Sequence, residues 1–212
     1  MNQLQTQLPT DTWVAMPWND YVHTIEDPVY AKAKDYYYKG YMRLEMSPVS
    51  FEHGRDHLAI AFAVTLFAII RNIPVTGLDN TTFRKPGVGG CQPDVAYYVG
   101  KRAQVVPDGA GIVNLDRYPP PELAIEVSKT SLLDDLGTKR SLYEELGVAE
   151  YWVVDVERAQ IIAYAMVDGG SKRISASQVL PGLSLALLEE ALRRSRTTTQ
   201  SEVLAWLTQQ FQ

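Results

Sequence analysis

One acid inside an otherwise apolar run restricts the fold of this chain more than any other feature. Residues 123–127 read Leu-Ala-Ile-Glu-Val, which is typical of a buried strand, and Glu126 lies near its end. An unpaired buried carboxylate is costly, so Glu126 needs a cation, a metal ion or a place at the edge of a cleft. Asp94 sets the same requirement at the head of apolar residues 95–99. Two acids at the ends of neighbouring strands are therefore expected to converge.

A lysine completes the predicted cluster. Lys139 shares one face of a predicted helix with three residues typical of a core, namely Leu142, Tyr143 and Leu146. A lysine on the sheet-facing side of a helix should meet an acid, so we predict that Asp94, Glu126 and Lys139 form one acid–acid–base cluster. Paired carboxylates are the ligands that magnesium prefers. Each residue also has a structural alternative: a turn cap for Asp94, a surface ion pair for Glu126, and an outward-pointing chain for Lys139.

The order of elements predicts an α/β or α+β fold with a central mixed sheet flanked by helices, in a single domain over residues 1–212. Its core is expected at about 18–185, followed by C-terminal helices at 185–211. The predicted elements are a helix at 18–25, a hairpin at 36–38 and 41–46, a helix at 51–71 capped by Ser50, strands at 75–77, 81–84, 93–99, 123–127 and 151–156, a helix at 134–146, a hairpin at 160–167 and 173–179, and helices at 185–194 and 201–211.

Composition and charge narrow the class of protein. Hydrophobic residues make up 46% of the 212 residues, which excludes wholesale disorder, and the net charge of −5 argues against a protein that coats nucleic acid through bulk charge. Residues 1–10 show no secretory signal, and the apolar run at 58–70 looks too short to span a bilayer, so we expect a cytoplasmic protein with no membrane partner. Cys91 is the only cysteine, which excludes a disulfide framework and makes a catalytic thiol improbable.

Several motifs together resemble a family of restriction endonucleases that is abundant in cyanobacteria, was formerly a domain of unknown function, and belongs to the PD-(D/E)XK nuclease superfamily. They are QPD at 92–94, PELAIEVS at 121–128, Lys139 with Arg140 and Tyr143, GVAEYWVVD at 147–155, YYYKG at 36–40, RLEMSP at 43–48, and His53. The resemblance implies a restriction-endonuclease-like core with an N-terminal helix and hairpin. It also implies that Asp94 and Glu126 bind the metal ion.

The resemblance assigns further roles around these two acids. The superfamily's simplest pattern has a lysine two residues after the second acid, but this chain has Ser128 there. In this family the lysine is understood to lie on the next helix, which implies Lys139. Lys129 is nearer in sequence but would face away from Glu126 on a continuing strand. Glu45 is a further candidate metal ligand, with an ion pair to Arg43 or Arg55 as its alternative. His53, Gln92 and Ser128 are expected to support the site from just outside.

The expected activity is metal-dependent phosphodiester hydrolysis, with Mg²⁺ as cofactor, Mn²⁺ as its alternative and DNA as substrate. A homodimer would suit double-strand cleavage. Two alternatives stay open: a module of the same fold that binds nucleic acid or a protein with little turnover, and hydrolysis of RNA or a nucleotide.

His53 and His57 lie four residues apart and could form a zinc pair, although no HExxH motif is present. Tyr36, Tyr37, Tyr38 and Tyr41 are expected in the core rather than stacked on bases, and Arg193, Arg194 and Arg196 on a solvated helix end.

Overall fold

Two six-stranded sheets organise the residues that the computed structural model describes, which are 8–46, 50–105, 111–167 and 169–212. Residues 47 and 48 of the RLEMSP motif and the first seven residues of the segment at 1–10 lie outside these ranges. The first sheet has the order β1-β3-β2-β6-β5-β8 and the central sheet has the order β12-β11-β10-β9-β7-β4. The strands of the first sheet are β1 (Trp13–Ala15), β2 (Lys34–Tyr38), β3 (Tyr41–Glu45), β5 (Thr82–Lys85), β6 (Gly89–Cys91) and β8 (Ile112–Asn114).

A tight hairpin forms the centre of the first sheet, as the sequence predicted. β2 and β3 pair in antiparallel register, with Tyr38 opposite Tyr41. The two residues between them, Lys39 and Gly40, have φ values of 46° and 81°, the left-handed conformation that two-residue hairpin turns require. Helix α1 (Trp18–Glu26) precedes this hairpin and packs Tyr21 against it.

The central sheet is mixed. Its strands are β4 (Val75–Asp79), β7 (Val95–Val99), β9 (Leu123–Ser128), β10 (Glu150–Asp155), β11 (Gln160–Val167) and β12 (Gly170–Ile174). β9 and β10 run parallel, whereas β7 pairs antiparallel with β9 and places Val95 opposite Ile125. The same register continued by one residue brings Asp94 level with Glu126. The head of β7 and the end of β9 thus meet at one edge of the sheet, as predicted for the two acids.

The two faces of the central sheet have different neighbours. On one face, α2 (Phe51–Ile70), α5 (Leu185–Arg194) and α6 (Gln200–Phe211) cover an apolar core that includes Ile125. On the other face, α4 (Arg140–Leu146) and residues of the first sheet cover the side that carries Ala124. Because side chains alternate along a strand, Glu126 shares the face of Ala124. Glu126 is therefore directed towards α4 and the first sheet.

Helix α2 begins where the sequence predicted, with the Ser50 hydroxyl accepting a hydrogen bond from the backbone N–H of His53. The apolar run at 58–70 is only part of α2. With its first turns included, the helix has 20 residues and meets the length and hydropathy criteria of a membrane-spanning helix, which the sequence analysis did not expect. A core helix meets the same criteria. Residues of α2 such as Ala63, Val64 and Phe67 are buried in the core, so this finding is weak evidence for a span.

The predicted helix at 134–146 is interrupted. A short helix, α3 (Leu132–Asp134), leads into a π-helical turn over Asp135–Lys139, and α4 then ends at Gly147 in a left-handed conformation. The wider turn buries both Asp135 and Lys139, which form an ion pair of 2.9 Å. Two further expectations differ: β12 begins at Gly170 rather than 173, and the three-residue strands β1, β6 and β8 were not predicted, because such short segments show no periodicity.

Candidate active site

Asp94 lies between cations and a backbone donor. Its Oδ1 forms an ion pair with Lys34 Nζ, while its Oδ2 accepts a 2.6 Å hydrogen bond from the Val127 backbone N–H and lies 3.4 Å from His53 Nε2. The side chain is buried, and burial alone would raise its pKa. The contact with His53 and the charge of Lys34 outweigh burial and hold the pKa of Asp94 below its ordinary value. Asp94 is therefore an ionised carboxylate anchored to β9.

Glu126 has neutral partners instead. Its Oε1 accepts hydrogen bonds from the Tyr143 hydroxyl at 2.6 Å and the Tyr36 hydroxyl at 3.1 Å. Burial raises the pKa of Glu126 to about 8, and the charge of Lys139 only partly offsets the combined effect of burial and of Asp94. Among the described residues no hydrogen bond engages Oε2, so this oxygen is available to a further ligand.

Lys139 is buried within the site, as its place on the core-facing stripe predicted. Its Nζ lies 2.8 Å from Glu45 Oε1 and 2.9 Å from Asp135 Oδ1, and 4.0 Å from the centre of the Tyr36 ring. Burial alone would lower its pKa, but the charges of Glu126, Asp135 and Glu45 raise it, so the ammonium stays charged. Lys139 neither points to solvent nor forms an ion pair with Asp94 or Glu126 in this structure.

Glu45 forms the predicted ion pair with Arg43 and has a second cation, Lys139, beside it. Its Oε1 contacts both Lys139 and Arg43, the latter at 2.8 Å through Nε. Burial alone would raise the pKa of Glu45, and these two cations lower it. Glu45 lines the same cavity as Asp94 and Glu126. It is thus at hand as a carboxylate, but it is already charge-balanced by residues of the chain.

The three residues expected to support the metal ligands differ in position. His53 lines the cavity beside Asp94. The Gln92 side-chain amide donates to the Asn80 carbonyl at 2.8 Å and is directed away from the site. The backbone carbonyl of Gln92 lies 3.0 Å from the Tyr36 hydroxyl and shares the single proton of that hydroxyl with Glu126 Oε1. Ser128 is buried and its hydroxyl lies 3.4 Å from that of Ser131. Only the backbone of Gln92 therefore acts on the site, through Tyr36.

One cavity of about 340 Å³ lies beside the two acids, and neither Gln92 nor Ser128 lines it. Its wall includes Asp94, Glu126, Lys139, Glu45, Lys34, His53, Ser131 and Lys129. Lys129 lies at the more exposed part of this wall, where its Nζ pairs with Glu52 at 3.0 Å. The structure therefore brings the predicted acids and Lys139 to one cavity and places Lys129 against an acid of α2.

Lys34, the cation that forms an ion pair with Asp94, was not predicted from the sequence. Lys34 lies two residues before Tyr36 on β2, so the two side chains share a face of that strand. The charges of Asp94 and Glu126 raise its pKa, against the lowering effect of burial. Alternation along β2 was a usable signal, because it places Lys34 on the same side of the strand as Tyr36, the β2 tyrosine that contacts Glu126. Asp135 was also missed, since only the π-helical turn buries it.

The remaining candidates lie where the sequence predicted, with one exception. Tyr36 and Tyr37 are buried and Tyr38 packs partly buried against the core, but the prediction is wrong for Tyr41, which is half exposed at the end of the hairpin. Arg193 and Arg194 pair with Glu190 on the surface of α5, and Arg196 donates to backbone carbonyls of Val156 and Glu157. Cys91 is buried and burial raises the pKa of its thiol, which makes it a poor nucleophile.

Comparisons with known proteins agree with this architecture. The model of a family described as "Uma2: Putative restriction endonuclease" matches residues 18–200. A crystal structure described as "a putative nuclease belonging to DUF820 from Anabaena variabilis ATCC 29413" matches with a TM-score of 0.55 at 14% identity, over 91% of this chain and 99% of that chain. No curated protein matches the chain. At this identity the structural match shows the fold, and it confirms the predicted mixed α+β, nuclease-like architecture.

Proposed function

The chain belongs to the family described as "Uma2: Putative restriction endonuclease", a family of restriction-endonuclease-like nucleases, and on that premise we propose that it is a metal-dependent DNA endonuclease. The observation that carries the proposal is the convergence of Asp94, Glu126 and the buried Lys139 on one cavity. Each buried charge costs free energy of folding. A module of this fold without catalytic activity would have no need for two buried acids beside a buried lysine.

The donors around the cavity fit a hard divalent cation. Two carboxylates meet there, and a bound ion would share the Asp94 carboxylate with Lys34. Asp94 and Glu126 would hold the ion, with Glu126 offering Oε2 and Glu45 available as a further carboxylate. We expect Mg²⁺ or Mn²⁺, since both accept oxygen ligands together with phosphate oxygens. When bound, such an ion supplies charge stabilisation and lowers the pKa of an attacking water.

Side chains of the protein would position the reacting groups and stabilise the charge that develops in the reaction. The ammonium of Lys139 would orient the attacking water or offset negative charge on the phosphate, and its ion pairs with Glu45 and Asp135 hold it in place. The hydroxyls of Tyr36 and Tyr143 fix the Glu126 carboxyl through hydrogen bonds. The ammonium of Lys34 would offset the negative charge of the Asp94 carboxylate.

A cleavage assay tests the proposal. Purified protein is incubated with supercoiled plasmid DNA and with single-stranded RNA, in Mg²⁺, in Mn²⁺ and in EDTA. We expect metal-dependent nicking of DNA, reduced about 100-fold or more in Asp94→Asn and in Glu126→Gln. Cleavage that persists after both substitutions would show that Asp94 and Glu126 are not the active-site acids. Metal-dependent cleavage of RNA alone would identify an RNA nuclease instead, and DNA binding without cleavage would favour the inactive module.

A further inference from the structure

Asp94 also belongs to a second cluster of potential ligands. His53, His57 and Asp94 each offer one ligand atom, and these atoms all lie within 4.8 Å of one another. The spacing of four residues on α2 puts both imidazoles on one side of the helix, and the head of β7 brings the carboxylate to them. The sequence indicated the histidine pair, but only the fold supplies the third ligand.

This cluster faces a different cavity. A second cavity of about 550 Å³ is lined by His57, Asp79 and Asn80, which do not line the first, whereas Glu126 and Lys139 line only the first. Asp94, His53 and Lys34 line both. Asp94 is therefore part of the wall between two cavities, and a cation on the histidine side would be distinct from one held by Glu126.

The hydrogen-bonding capacity of the His53 imidazole is not met by its neighbours. Its Nε2 lies 3.4 Å from Asp94 Oδ2, and within the described residues its buried Nδ1 has no hydrogen-bond partner. His57 Nε2 lies 2.8 Å from Asp79 Oδ1. A carboxylate beside one ring nitrogen is a common way of orienting a metal-binding histidine, and the contact with Asp79 puts a carboxylate in that place. Imidazole with one carboxylate suits zinc and similar transition metals, whereas Mg²⁺ prefers oxygen ligands.

We propose that His53, His57 and Asp94 form a second cation position, which takes a transition-metal dication such as Zn²⁺, with Asp79 orienting His57. The position binds its metal whether or not the chain cleaves DNA. Because Asp94 serves both positions, occupancy of one changes the affinity of the other.

Calorimetric titration of the full chain with ZnCl₂ tests the proposal. The chain has three histidines, so His23 on α1 provides a matched control. We expect His57→Gln to weaken Zn²⁺ binding by about 10-fold or more, Asp79→Asn by about 10-fold, and His23→Gln not at all. The same variants titrated with MgCl₂ separate the two positions, because Asp94→Asn should weaken both metals whereas His57→Gln should weaken Zn²⁺ selectively.

Imidazole ¹⁵N NMR of the wild-type chain tests whether Zn²⁺ binds at His53 and His57 in the unaltered protein. Zn²⁺ should shift the ring signals of His53 and His57 and leave those of His23 in place. The proposal is overturned if the two signals stay unmoved, or if folded His57→Gln binds Zn²⁺ as tightly as the wild type. Zn²⁺ binding at His57 in a chain that cleaves no nucleic acid would refute the nuclease proposal and leave this one standing.

Discussion

The two acids of the active-site cavity occupy matching positions on neighbouring strands, yet their surroundings are opposite. Asp94, at the head of β7, meets Lys34, His53 and a backbone N–H, whereas Glu126, near the end of β9, meets two tyrosine hydroxyls. The pKa of Asp94 is consequently lowered and that of Glu126 is raised. The site thus carries one firmly ionised carboxylate and one that ionises readily only when a cation offsets its charge.

Removing Lys139 is expected to have the largest effect on stability. Lys139→Met leaves Asp135 and Glu45 without their buried cation, which should lower the free energy of unfolding by about 4 kcal/mol. Lys129→Met is the matched control, since its exposed ion pair with Glu52 should contribute under about 1 kcal/mol. Urea unfolding of both variants checks the difference. Equal losses would mean that Lys139 is not the buried centre of this network.

The two acids should respond differently to neutralisation. Asp94→Asn deprives Lys34 and His53 of their carboxylate and should cost about 3 kcal/mol of unfolding free energy. Glu126→Gln keeps an acceptor for both tyrosines and should change stability by less than about 1 kcal/mol at pH 7. Thermal and urea unfolding in EDTA compare them. A larger loss in Glu126→Gln would reverse the comparison.

The pH dependence of stability follows from the same contrast. Glu126 titrates near 4.5 when unfolded but at about 8 when folded, so its contribution to stability falls as the pH rises between these values. The lowered pKa of Asp94 acts in the opposite sense, and its contribution is lost as the pH falls below the ordinary 3.8. Between pH 5.5 and 7.5 the wild type should lose about 2 kcal/mol relative to Glu126→Gln. Parallel profiles for the two proteins would show that Glu126 is ionised throughout.

A smaller effect is expected from one hydroxyl. Tyr143→Phe removes a hydrogen bond to Glu126 Oε1, which should cost about 1 kcal/mol and raise the pKa of Glu126 further, because the hydroxyl stabilises the ionised form. Tyr98→Phe is the control, since its hydroxyl donates to the Pro119 carbonyl outside the cavity. The pH profile of stability should shift in the first variant only. Identical profiles would assign Tyr143 a packing role.

Much of this site could be predicted from the sequence. The acid inside an apolar strand pointed to Glu126, and helical spacing gave Lys139 its inward position. Lys34 was missed because it precedes the aromatic run of β2, and its contact with Asp94 depends on how the two sheets pack, which local sequence does not determine. The π-helical turn was missed because the stripe that predicts a helix also tolerates one wider turn.

We propose that Asp94 and Glu126 together hold the divalent cation. Calorimetric titration of MnCl₂ into His57→Gln, and into the triple variant that also carries Asp94→Asn and Glu126→Gln, tests this with the histidine position removed from both proteins. We expect Mn²⁺ to bind the chain that keeps both acids, and this binding to be weakened at least about 100-fold in the triple variant. Unchanged Mn²⁺ affinity in the folded triple variant would mean that the two acids do not hold the ion.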